Sequence, residues 1–187
     1  MATIKILLLT HLILFAANGK TPLADDNSYK HHCLNKEEMK LYEMVNQYRQ
    51  QRRLPPIPLS RSLSYVAKKH VIDLQYNIGK VSHSWSDCKY DSNNPKTYGC
   101  MWHKTQELTS YEAHGYECVF GMHPEYATAK KALKSWQRSS GHNNVIVNRG
   151  PWRQVEWNAL GVAVYKNYAA LWFGEIKDSE PSPTLCL

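Results

Sequence analysis

The 187-residue sequence lacks a long hydrophobic run. The longest, Ile6 to Phe15, holds about ten residues, half of what a bilayer-spanning helix needs. No later stretch comes closer, so nothing in the rest of the chain reads as a transmembrane segment. There is no Asn-X-Ser/Thr acceptor, which removes the expectation of N-glycosylation. There is no Gly-X-Ser-X-Gly elbow and no His-Glu-X-X-His pair, so two common signatures of hydrolases are missing. Internal repeats are absent too. So is an even cysteine count, because Cys33, Cys88, Cys100, Cys118 and Cys186 make five.

The apolar run itself is informative. Lys5 precedes it, and the small residues Ala17 and Gly19 follow it, in the pattern of a secretory signal cut ahead of Lys20. Residues 1–19 are expected to be removed, which leaves 168 of the 187 residues, one domain of ordinary size with its own core. The formal charge falls from +7 to +6 with the loss of Lys5. The remaining lysines and arginines are scattered among acids, as on a solvated surface. Export makes nucleic acid an unsuitable partner and the secreted, extracellular space the expected location.

Disulfides persist outside the cell, and an odd count leaves one thiol over or paired between chains. Cys88 and Cys100 flank the polar loop Asp91-Ser92-Asn93-Asn94-Pro95 and make the easiest pair. Cys33 and Cys186 lie near the two mature ends and are placed to staple them. Cys118, inside Cys118-Val119-Phe120, is the candidate for a buried free thiol.

Residues 20–35 read as a polar, loose leader. Leu41, Met44, Val45 and Tyr48 then recur at helical spacing, up to the stop at Leu54-Pro55-Pro56. A second helix is expected from about Ser62 to Tyr76, with Leu63, Val66, Ala67, His70 and Leu74 on one face. Residues 78–115 are irregular and form a long loop. Tyr116 to Gly121 fits a short strand or a bend. Pro124 is suited to open a third helix at its first turn, with Ala129, Ala132, Leu133 and Trp136 buried. A small-residue turn follows it and leads to His142. Residues 160–165 and 169–175 read as a hairpin, and 177–187 as a tail. Helices that do not alternate strictly with strands give an α+β class.

Several segments carry a resemblance. Asn46-Gln47-Tyr48-Arg49, Leu54-Pro55-Pro56-Ile57-Pro58-Leu59 and Leu63 to His70 come first; Ser82-His83-Ser84, Gly115-Tyr116-Glu117, Gly141-His142 and Leu171-Trp172-Phe173-Gly174 follow in order. Together they resemble the CAP superfamily of cysteine-rich secretory, antigen 5 and pathogenesis-related proteins. Ser139-Ser140-Gly141-His142-Asn143-Asn144 looks closer to its bacterial-type branch. The resemblance covers residues 36–176 and implies a single-domain α-β-α sandwich. It also implies a cleft of two histidines and two acids, with His83 and His142 as the histidines and Glu117 as one acid. Tyr116 and Cys118 stand where the family has glycine and asparagine. Ser139 stands where the second acid is usual, and nothing in the sequence selects Glu107, Glu112 or Glu125 to replace it.

Two imidazoles and a carboxylate can supply three positions of a tetrahedral zinc, leaving the fourth for water. The same three side chains can equally hydrogen-bond one another and pin the loops around them. His83, Glu117 and His142 are therefore both the candidate ligands of a divalent metal, zinc favoured, and the catalytic set if the protein is an enzyme. His70 sits on an apolar helix face, where a hydrogen-bonded core histidine is expected. Trp85, Trp102, Tyr111, Trp152 and Trp157 can pack or line a groove. The resemblance implies a secreted, non-enzymatic binding protein acting in defence or on a lipid, sterol, glycan, membrane or extracellular protein. A metal-dependent hydrolase is the alternative. A venom-like or structural interaction protein is the third reading, disfavoured because only about ten residues, with one cysteine, follow Glu175.

Overall fold

Residues 27–187 are described by a computed structural model. The expected signal at 1–19 and the start of the leader lie outside the described residues. Helix α1 (Lys36–Gln50) begins with a capping box: Asn35 accepts from the Glu38 N–H, and Glu38 accepts from the Asn35 N–H. Helix α2 (Arg61–Asp73) starts at Ser60, whose hydroxyl accepts from the Leu63 N–H. A wider π turn, Leu74–Ile78, prolongs it to Gly79 at φ +74°, a left-handed stop that glycine adopts without strain.

The long loop holds two short helices, α3 (Gly99–Trp102) and α4 (Lys104–Leu108). Strand β1 (Gly115–Gly121) follows. Pro124 does not open the next helix. The His123–Pro124 peptide is cis, and α5 (Ala129–Arg138) starts later, capped by Thr128, whose hydroxyl accepts from Lys131 N–H. Nor is the segment before His142 a free turn: α6 (Ser140–Ile146) carries that histidine. Strands β2 (Ala159–Tyr165) and β3 (Tyr168–Gly174) form the hairpin.

The three strands make one antiparallel sheet in the order β1-β3-β2. Along β3 the side chains alternate between two cores. Ala169, Leu171 and Phe173 join Leu41, Val45, Leu133 and Trp136 of α1 and α5, while Tyr168, Ala170 and Trp172 join Leu63, Val66, Val71 and Leu74 around α2. Both faces are covered, which is why these strands read as unbroken apolar runs rather than alternating ones. The result is a sandwich of α1 and α5, the sheet, and α2. The α2 helix lies so close that a Cβ on Gly161 of β2 would sit 2.2 Å from the Leu63 carbonyl carbon.

Glu38 ties the layers together. It is fully buried, and its Oε1 meets Lys68 Nζ of α2 at 2.5 Å and the Val164 N–H of β2 at 3.2 Å. The described part of the leader is not loose. Leu34 is buried and pairs in parallel with Leu185, and Cys33 is bonded to Cys186. Cys88 is bonded to Cys100, and Cys118 is a buried free thiol. Among the described residues no helix is long and apolar enough to cross a membrane.

Candidate functional site

Strand alternation decides where the acid goes. Cys118 faces the α1/α5 core, so its neighbour Glu117 faces α2, opposite Trp172 in the register of β1 and β3. There it meets His70, one of the buried residues of α2. The Glu117 carboxylate is wholly buried and each oxygen has an imidazole: Oε1 takes His70 Nδ1, and Oε2 takes His83 Nδ1 at 2.7 Å. On its other side His70 Nε2 donates to the Ser84 carbonyl at 3.1 Å. The His70 ring stacks on Trp85 at 4.6 Å and meets the edge of Trp172 at 5.7 Å, and the indole N–H groups of both tryptophans lack an acceptor.

The electrostatics follow from this enclosure. Burial alone would push the Glu117 carboxyl up, but His70 and then His83 outweigh it and hold it below the usual range. Burial alone would pull His70 down, but the Glu117 charge reverses this and raises it. The pair is therefore an ion pair with an aromatic lid. His142 is lowered, first by burial and then by the nearby His83. The Cys118 thiol is pushed up by burial and points at the His142 carbonyl, with Sγ at 3.9 Å.

The expected trio is thus only partly assembled. Glu117 and His83 are in contact, and His142 is near enough to feel both charges but makes no hydrogen bond to either. The acid's second partner is His70, which the sequence marks only as a core histidine. Its place on the sheet-facing stripe of α2 was visible in the sequence, but which strand residue it would meet was not. None of the three acids considered as replacements for the second acid is engaged at Glu117. Glu107 pairs with Lys104, Glu125 pairs with Lys131, and Glu112 is exposed.

A catalytic zinc needs three protein donors and an open position. Here both Glu117 oxygens are engaged by imidazoles, which leaves only His83 Nε2 and the His142 ring as available nitrogens. Among the described residues no group of three or more His, Cys, Asp or Glu side chains is arranged to hold an ion. The donor set does not fit the expected metal.

Beyond His83 the aromatic residues divide. Trp85, Tyr111 and Trp157 are buried, whereas Trp102 and Trp152 are half-buried. The half-buried rings form a continuous strip. His83 touches Tyr90 at 5.1 Å between ring centres, Tyr90 stacks on Tyr98 at 5.1 Å, and Tyr98 meets Trp102 at 5.2 Å. Trp102 meets Tyr116 at 6.0 Å, and Tyr116 meets Trp152 at 5.1 Å. Tyr90 and Tyr98 escaped the sequence reading because they lie in the irregular segment, where no periodicity marks a shared face.

The sequence model of the cysteine-rich secretory protein (CAP) family matches residues 42–172. No curated protein sequence matches. Among solved structures, an extracellular protein containing an SCP domain from Bacillus anthracis superposes with a TM-score of 0.57 and 19% identity. The match covers 75% of this chain and 40% of that one, so the chain spans well under half of the Bacillus protein. An outer surface protein of Borrelia burgdorferi gives 0.55 and 18%, covering 79% of this chain and 99% of its own. A cysteine-rich secretory protein of Staphylococcus aureus gives 0.51 and 16%, over 75% and 39%. All three come from bacteria. With the layered fold, the order of its motifs and the family match over most of its length in agreement, the chain belongs to the cysteine-rich secretory protein (CAP) family.

Proposed function

We propose that this protein is an extracellular, non-enzymatic binding module whose ligand lies along the aromatic strip from His83 to Trp152. The observation that carries the reading is the unbroken succession of half-buried rings, each within about 6 Å of the next by the ring-contact distances given above. The ion pair beneath supports it by fixing the head of the strip. With His83 Nδ1 held by Glu117, the ring keeps Nε2 free for a hydrogen bond to a ligand hydroxyl. An open strip suits a glycan, which stacks on flat faces and keeps its hydroxyls in water. A sterol or lipid needs a pocket that buries most of its surface.

The hydrolase reading requires an activated water, and the cleft offers neither the family's second acid nor a third metal donor. Two measurements separate the readings. Binding of soluble glycan oligomers, read by tryptophan fluorescence, should weaken about tenfold in Trp102→Ala, the loss of roughly one good aromatic contact. Stoichiometric zinc in the purified protein, together with glycan binding unaffected by Trp102→Ala, would favour the hydrolase instead.

A further inference from the structure

Arg49 of α1 is 2% exposed. Arginines this deep are normally matched by a carboxylate, since an uncompensated buried charge is costly. Arg49 has none. Its Nε donates to the Pro55 carbonyl at 3.1 Å, and its Nη1 donates to the Ile146 carbonyl and to Asn148 Oδ1, both at 2.6 Å. All three acceptors are neutral. The Nη2 amino group, with two N–H donors, has no acceptor, yet it is not among the side-chain nitrogens sealed inside the protein. Burial pulls the guanidinium down to about 10, so the charge is intact at neutral pH.

Arg49 borders a pocket of about 510 Å³, a size ordinary for small-molecule sites. Leu54, Pro55, Pro56 and Val155 give it apolar walls, and Trp157 closes it. Two further charges face it: Arg153, and the single acid Glu156, both exposed and neither paired in an ion bridge. The loop that carries the far wall starts from Asn148 and Gly150, both in the left-handed region at φ 49° and 57°. Asn148 is itself held by Arg49, so the cation shapes the pocket it borders.

We infer that this pocket is a binding site for a monocarboxylate carried on a small apolar body, with Arg49 Nη2 as its buried anchor and Arg153 as the cation at the rim. A single free amino group matches one carboxylate better than a doubly charged phosphate, which Glu156 would repel more strongly than a single charge. The apolar walls ask for a hydrophobic body behind the charge. Such a carboxylate comes either from a free organic acid or from the C-terminus of a peptide. The site is separate from the cleft acid and does not depend on the glycan reading.

The test uses the full secreted protein and 3-phenylpropionate as the probe, followed by amide NMR shifts. Saturable binding with a Kd of about 1 mM or tighter is expected, with shifts confined to residues 54–58 and 148–158. The uncharged 3-phenylpropionamide should leave the spectrum unchanged. Arg153→Gln should weaken the acid several-fold and Arg49→Lys more strongly. If Arg49→Lys does not fold, the acid and amide pair on the unaltered protein decides. N-acetyl-Gly-Phe with a free C-terminus, set against its amide, separates the sources: tighter binding than phenylpropionate assigns the site to peptide ends, and weaker binding to free acids. The inference is overturned by failure to saturate at about 10 mM of either acid. Equal binding of the amide, tighter binding of inorganic phosphate, or shifts centred elsewhere would overturn it as well.

Discussion

Replacing Glu117 probes the cleft most sharply, because the structure sets different costs for two substitutions. In Glu117→Ala the His70 ring loses the main charge that keeps it protonated while buried, Asp73 contributing less. The ring then reverts to neutral, with Nδ1 unpartnered between Trp85 and Trp172. Removing one member of a buried, hydrogen-bonded pair costs about 3–5 kcal/mol. At about 2–4 °C per kcal/mol for a domain of this size, the melting temperature should fall by about 6–20 °C. Glu117→Gln is different. A neutral His70 can still donate through Nε2 to the Ser84 carbonyl while Nδ1 accepts from the glutamine amide, and the glutamine oxygen can accept from His83 Nδ1. Every hydrogen bond is kept and only the ion pair is lost, so a cost of about 1 kcal/mol, or 2–4 °C, is expected. Thermal unfolding of the three proteins at one pH measures both. A glutamine variant as unstable as the alanine variant, or an alanine variant that melts with the parent, would refute the buried-pair account.

The same pair should leave a signature in pH. His70 is raised above 6.5, so its stabilisation is complete below that value and is lost as pH rises through the folded-state value. Glu117 is lowered from 4.5, so its share is present above that value and is lost as pH falls. The stability gap between the parent and Glu117→Gln should therefore be widest between about pH 4.5 and 6.5 and narrow on either side, and parallel curves would contradict the assignment. His32, lowered to about 4 mainly by burial, acts oppositely in both proteins and cancels in the comparison, whereas His142, lowered by burial but raised in part by Glu117, falls further in Glu117→Gln. Replacing Cys33 and Cys186 by serine should cost more than replacing Cys88 and Cys100. The two loops span separations of 153 and 12 residues, worth about 5 and 3 kcal/mol in the chain-entropy model, and chemical denaturation of the two variants checks the order. Cys118 should resist a thiol reagent in the folded protein and react on unfolding, because the thiolate is disfavoured by complete burial; rapid native labelling counted by mass would contradict this. Gly161→Ala should destabilise strongly, since a Cβ there meets the Leu63 backbone rather than a side chain that can move aside; an unchanged melting temperature would contradict the close packing of α2.

What the sequence made legible was whatever rests on periodicity and order. The helical stripes of α1 and α2, the hairpin of β2 and β3, the Cys88–Cys100 bridge and the shielding of Cys118 follow from local patterns, and the Cys33–Cys186 bridge from the place of its cysteines near the two mature ends. Pro124 misled because proline suits both a first helical turn and a bend. The Thr128 cap sets the helix start later, at Ala129. In the leader, polarity suggested looseness, but Leu34 and Cys33 are held by partners more than a hundred residues away. In the site, three residues were visible by type, whereas which of them touch is a tertiary matter. His70 and Glu117 lie 47 positions apart and meet only because α2 packs on β2 and β3, with β1 beside β3 in the sheet.

That meeting changes what the departure at Ser139 means. A cleft with two acids and two histidines has carboxylate oxygens to spare for an ion or a proton. Here one acid serves two imidazoles, and none of the substitutes is engaged at Glu117. A carboxylate so engaged, enclosed by Trp85, Trp172 and His70, is poorly placed to exchange protons with a substrate. It is well placed to hold the His83 ring in one orientation. The Ser139 departure and the His70 contact therefore both support the proposed binding reading, in which Glu117 orients the first ring of an aromatic strip.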